Sequence, residues 1–77
     1  MKIRIPKWHG ESWVYDPGAG TAQAAAERAV DRYISEAAAY DIVGGDPVRV
    51  EVDDEMVTEW DVSVEATWQC YAQRARK

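Results

Sequence analysis

Val48-Arg49-Val50-Glu51-Val52, then Asp53-Asp54-Glu55, then Trp60-Asp61-Val62-Ser63-Val64-Glu65-Ala66-Thr67-Trp68 is the stretch that decides the fold. Side chains of a strand point alternately to its two faces. Val48, Val50 and Val52 therefore share one side, and Arg49, Glu51 and Asp53 the other. In the second run Trp60, Val62, Val64, Ala66 and Trp68 oppose Asp61, Ser63, Glu65 and Thr67. Such alternation predicts a half-buried antiparallel hairpin, turned at Asp53-Asp54-Glu55, with one apolar and one acidic face.

The apolar face needs a cover, and the chain offers one upstream. Asp16-Pro17-Gly18-Ala19-Gly20 breaks regular structure, and Thr21 is suited to cap a helix. From Ala22 to Tyr40, the residues Ala22, Ala26, Ala29, Val30, Tyr33, Ile34, Ala37 and Tyr40 recur at helical spacing on one stripe. Glu27, Arg28, Asp31, Arg32 and Ser35 take the other side. A stripe so rich in alanine lets the helix lie close to its partner. Gly44-Gly45-Asp46-Pro47 bars its continuation. Before it, Lys2–Ile5 reads as a short strand ended by Pro6, His9-Gly10 as a turn, and Ser12–Tyr15 as a second strand. The expected fold is α+β, in the order β(β)αββ: one alanine-rich helix packed on one face of a three- or four-stranded antiparallel sheet. Periodicity leaves the strand order open.

With 77 residues there is room for one domain over 1–77, in which residues 70–77 read as a basic tail. The net charge is −5. No base lies between Arg49 and Arg74, whereas Glu51, Asp53, Asp54, Glu55, Glu59, Asp61 and Glu65 do. This balance argues against direct binding of nucleic acid or an anionic membrane, and for a basic protein partner. A lone Cys70 excludes an internal disulfide. No signal-peptide pattern opens the chain and no apolar run is long enough for a membrane span. The expected location is the cytoplasm of a bacterial host.

No catalytic or metal-ligating pattern emerges. His9 and Cys70 are too few for a zinc site, and no third group stands ready to orient them as a nucleophilic pair. Asp53-Asp54-Glu55 lacks the ligand spacing of a calcium loop. Glu51, Asp61 and Glu65 are neighbours on a solvated face, where water levels their acidity instead of separating it. Gly18-Ala19-Gly20-Thr21 precedes a helix but has no phosphate-binding lysine. The expectation is a protein that is not an enzyme and needs no cofactor or metal.

Two features point instead to binding. The acidic outer row, with carboxylates about 6.6 Å apart along a strand, reads either as a solubilising face or as a mimic of a nucleic-acid backbone that fills a basic groove. Four Trp and four Tyr with no Phe favour rings that tolerate partial exposure. Trp60 and Trp68 have inward parity, whereas Trp8, at the His9-Gly10 turn, is a candidate anchor or a lid over the core. The candidate partner-binding residues are Glu51, Asp53, Asp54, Glu55, Asp61, Glu65 and Trp8.

The Ile3–Tyr15 opening, the Thr21–Tyr40 helix and the Val48–Trp68 hairpin with its acidic face together resemble the small acidic accessory proteins encoded by phages, including anti-CRISPR proteins. The resemblance is one of type, with no signature motif. It implies a stoichiometric inhibitor that blocks a defence or nucleic-acid-handling complex, with a CRISPR-complex subunit or another basic nucleic-acid-binding protein as partner. The alternative is a self-associating phage structural or scaffold protein, such as a homodimer.

Overall fold

The computed structural model describes residues 1–75. Strand β1 (Lys2–Arg4) is followed by the short helix α1 (Pro6–His9), strand β2 (Val14–Tyr15) and the main helix α2 (Ala22–Ala37). A 3-10 turn at Tyr40–Ile42 leads into β3 (Val48–Asp54), β4 (Met56–Val64) and β5 (Cys70–Arg74). The strands form one antiparallel sheet in the order β2-β1-β3-β4-β5. The α+β architecture matches expectation, with five strands where three or four were expected.

The expected hairpin is its centre. Val48 pairs with Val62, Val50 with Trp60 and Val52 with Thr58, and side chains directly opposite in a ladder share a face. Val50, Val52 and Val62 have no exposed surface, and Ala25, Ala26, Ala29, Val30 and Ile34 of α2 press on this row. Thr21 caps the helix as anticipated, its hydroxyl accepting from the Ala24 N–H at 3.0 Å. The helix ends at Ala37 instead of Tyr40, because Ala38 turns into the left-handed region at φ 53°. Gly44, at φ 76°, donates to the Val64 carbonyl at 2.7 Å and ties the following loop to the end of β4.

Three further differences have local causes. The expected turn at His9-Gly10 is preceded by a helical turn, started by Pro6 at its first position, where proline's fixed φ is helical and its missing N–H costs nothing. Ala66 and Trp68 do not continue the inward row, because the chain reverses after Val64 to add β5. There the Trp68 N–H donates to the Glu65 carbonyl at 2.8 Å, and the Glu65 N–H to the Gln69 carbonyl at 3.0 Å. Finally, Cys70–Arg74 of the expected tail forms an edge strand, with Ala72 buried opposite Val62. Arg76 and Lys77 of that tail lie outside the described residues.

An exposed edge strand is a template for unwanted pairing, and α2 guards this one. The Ala72 N–H donates to Glu27 Oε2 at 2.9 Å, and the Ala72 carbonyl accepts from Gln23 Nε2 at 3.1 Å. The loop before α2 is pinned from within by Asp16, which is buried. Asp16 accepts from the Gly18 N–H at 2.9 Å and from Arg28 Nε at 3.1 Å. Burial pushes its carboxyl up, but the Gly18 N–H and the Arg28 guanidinium outweigh that and hold it below its ordinary value.

A carboxyl depressed in the folded state stabilises it above its unfolded pKa and ceases to do so as pH falls through the folded value. Asp16→Asn should therefore cost about 1–3 kcal/mol at neutral pH, the scale of hydrogen bonds to a charged group. That deficit should begin to shrink as pH falls below about 4, where the unfolded chain's carboxyl takes up its proton, and should vanish only below the depressed value of the folded wild type. A deficit independent of pH would remove the charge of Asp16 from the account.

Candidate functional site

The helix covers one face of the sheet, and among the described residues no helix or strand covers the other. Outward positions follow from the register: Tyr15, Lys2, Asp53 and Val57 form one cross-strand row, Arg4, Glu51 and Glu59 the next, and Arg49, Asp61 and Gln73 a third. Basic residues are thus interleaved with the expected acids.

That interleaving changes the electrostatics. Arg4 Nε lies 2.8 Å from Glu51 Oε1, and Arg4 Nη1 donates to the Glu11 carbonyl at 3.2 Å. Its guanidinium stands 4.3 Å from the centre of the Trp13 ring, a stacked cation–π arrangement. Arg49 pairs with Asp61 at 2.8 Å and also contacts Glu59. The carboxylates hold both guanidinium groups firmly protonated. The face therefore carries Lys2, Arg4 and Arg49 against Glu51, Asp53, Glu59 and Asp61, with three of those acids already paired. Its middle is a zwitterionic lattice rather than an uncompensated acidic row.

The sequence-based candidates separate accordingly. Glu51 and Asp61 sit in the lattice, engaged by Arg4 and Arg49. Glu65 lies beyond the end of β4, in the turn toward β5. Asp53, Asp54 and Glu55 cluster at the β3–β4 hairpin tip, where Glu55 takes a left-handed φ of 67° that tightens the turn. Trp8 is half-buried and not an exposed anchor. Its ring stacks on His9 at 4.4 Å and on Tyr33 of α2 at 5.1 Å, so it closes one end of the core. The stack is held from below, since His9 Nδ1 accepts from the Ile5 N–H at 3.0 Å. Burial, with help from Arg32 and against Glu36, lowers the His9 pKa and favours the neutral ring that this bond requires.

Other surface features escaped sequence reasoning. At the tip, Tyr15 is 66% exposed, Met56 67% and Val57 52%. Tyr15 and Val57 bracket Lys2 and Asp53 in a row that spans about 14 Å at ordinary strand spacing. Among the described residues, Asp53, Asp54 and Glu55 form no ion pair. The tip thus joins exposed apolar surface to free carboxylates. At the other end, Pro6, Lys7, Asp41, Ile42, Pro47 and Arg49 help line a cleft of about 500 Å³. Cys70 is half-buried, and burial together with Asp31 and Glu27 raises its pKa, so its thiol stays protonated near neutral pH. Among the described residues no three His, Cys, Asp or Glu side chains converge to hold a metal ion, and no helix is long and apolar enough to cross a membrane.

No protein-family model, curated protein or solved structure matches the chain.

Because Arg49 is solvated, its pairs with Glu59 and Asp61 should add little stability. Arg49→Ala should change the unfolding free energy by no more than about 1 kcal/mol, measured by urea denaturation, while the face gains net negative charge. A loss well above that would show that the lattice is structural.

Proposed function

We propose that this protein is a non-enzymatic, protein-binding inhibitor that docks the hairpin-tip end of its open sheet face onto a basic surface of a nucleic-acid-handling complex. The proposed setting is that of the phage-encoded anti-CRISPR proteins it resembles in type, acting in the cytoplasm of the host cell. One observation carries the reading: Tyr15, Met56 and Val57 are exposed at the same rim as Asp53, Asp54 and Glu55, which form no ion pair among the described residues.

The division of labour is physical. Free carboxylates speed encounter with a basic partner and make it salt-sensitive. Apolar side chains that lose water in the complex supply most of the holding energy. Glu51 and Asp61, already paired, would have to exchange Arg4 and Arg49 for a partner's bases, so they contribute less than the tip. A standard interface takes about 800 Å² from each partner, roughly a sixth of the 4933 Å² that this chain exposes. The sheet face and its rim offer room for that.

The test is affinity capture from bacterial lysate at low and high salt, with bound proteins identified by mass. The expected result is salt-sensitive recovery of a nucleic-acid-handling complex, abolished by Asp53→Lys, Asp54→Lys and Glu55→Lys together with the melting temperature preserved. Capture undiminished by these changes would refute the tip as the surface.

Self-association, as in a phage structural or scaffold protein, is the second reading, since β5 is an edge strand. Just past β5 the Ala75 N–H donates to the Glu59 carbonyl, so the odd-numbered residues of this segment bond to β4 and the backbone groups of Cys70, Ala72 and Arg74 point outward. Gln23 and Glu27 occupy the central pair of these. Under the inhibitor reading the wild type stays monomeric, and Gln23→Ala with Glu27→Ala gives a mass that rises with concentration in light scattering. Concentration-dependent mass in the wild type would favour self-assembly instead.

A further inference from the structure

Three of the four tryptophans are partly buried against a cation or a pair of stacked rings. Arg4 lies over Trp13 at 4.3 Å and Arg74 over Trp60 at 5.7 Å, and Trp8 stacks on His9 and Tyr33. Trp68 differs. It is 47% exposed and meets Tyr40, itself 54% exposed, at 5.4 Å between ring centres with the planes tilted by 50°. Among the described residues no cation stands over either ring.

Its backbone is equally unusual. Trp68 adopts φ 66°, the left-handed region that suits glycine or asparagine and disfavours a residue with a large side chain. A half-exposed tryptophan in such a position adds little to the core, so its identity points to a role outside the core. The segments that present the two rings carry charge of one sign. Asp41 follows Tyr40 in sequence, and Glu65 opens the same turn as Trp68, to which its backbone is hydrogen-bonded. Neither acid forms an ion pair among the described residues.

We infer that Tyr40 and Trp68, with Asp41 and Glu65 on the segments that carry them, form a second recognition site that receives an arginine side chain of a partner protein. The guanidinium stacks on an aromatic face more favourably than an ammonium does and is attracted by the ring and by a nearby carboxylate together. The molecule already uses this geometry internally, where Arg4 lies over Trp13 and pairs with Glu51. The site lies about 25 Å along β4 from the hairpin tip, given the nine residues of that strand. It therefore stands apart from the surface assigned to inhibition.

The probe is an end-blocked Arg-Gly-Arg-Gly-Arg peptide, compared with its citrulline counterpart, which keeps the shape and loses the charge. NMR of the full chain should show a saturable shift of the Trp68 indole N–H. Affinity should be about two- to fivefold weaker for the citrulline peptide, the factor expected from one cation–π contact at an exposed site. In Trp68→Gly, binding should disappear while the melting temperature holds or rises, since glycine relieves the left-handed backbone. Trp68→Asn provides a second variant suited to the same φ. Combined Asp53→Asn, Asp54→Asn and Glu55→Gln should leave the indole response intact, which separates this site from the tip. No response, an equal response to citrulline, or binding retained in both Trp68 variants would overturn the proposal.

Discussion

The close approach of an alanine-faced helix to a row of valines is the constraint on which the other features rest. Ala25, Ala26 and Ala29 are all buried against the sheet, and the longer Val30 and Ile34 fill the space nearer the helix end. With so little side chain between them, the helix axis sits near the ladder. Only at that range do the short reaches of Gln23 and Glu27 meet the backbone of Ala72. A larger residue at Ala26 would lift the helix, open the core and withdraw both edge contacts at once. The same economy leaves just one cover for a five-stranded sheet, so its second face is committed to solvent or to another molecule.

Across the molecule the chain spends its arginines internally. Arg4 and Arg49 neutralise the middle of the sheet, Arg28 secures Asp16, and Arg74 lies over Trp60. Among the described residues, acids without an ion pair include Asp53, Asp54 and Glu55 at one end and Asp41 and Glu65 at the other, where exposed apolar and aromatic side chains also stand. A net charge of −5 spread evenly would give only solubility. Where carboxylates adjoin exposed rings and a methionine at the two ends, it gives two places with directional chemistry.

How much of this was legible in the sequence depends on the range of the interactions involved. The β3–β4 hairpin and the Thr21-capped helix announce themselves through periodicity, because each is written in consecutive residues. Five-stranded closure does not, since Cys70–Arg74 is a strand only by virtue of pairing with β4. The alternation of Trp60 to Trp68 overran its true end for a related reason: nothing local marks Val64 as the last paired residue, and Trp68 lacks the glycine signature of its left-handed turn. For the candidate site, Asp53, Asp54 and Glu55 were found as a polar turn. The neutralisation of Glu51 depended on Arg4 lying beside β3, a placement that strand order alone supplies, whereas that of Asp61 comes from Arg49 on β3 itself. Arg49 did offer a local signal, being outward on the same hairpin.

The contacts of Gln23 and Glu27 with Ala72 also bear on how the chain reaches its native state. Strand β1 must pair with β3 across about fifty residues, with Lys2 opposite Asp53, so sheet assembly waits on a non-local encounter. The β3–β4–β5 meander is local and has no such delay. Until α2 docks, that meander presents the bare edge of β5 together with an uncovered valine face, the combination that makes partly folded chains stick to one another. Two polar side chains on the helix thus serve as the last bolt of assembly. Substitutions there would register less in the stability of the finished protein than in the fraction of chains that survive long enough to finish.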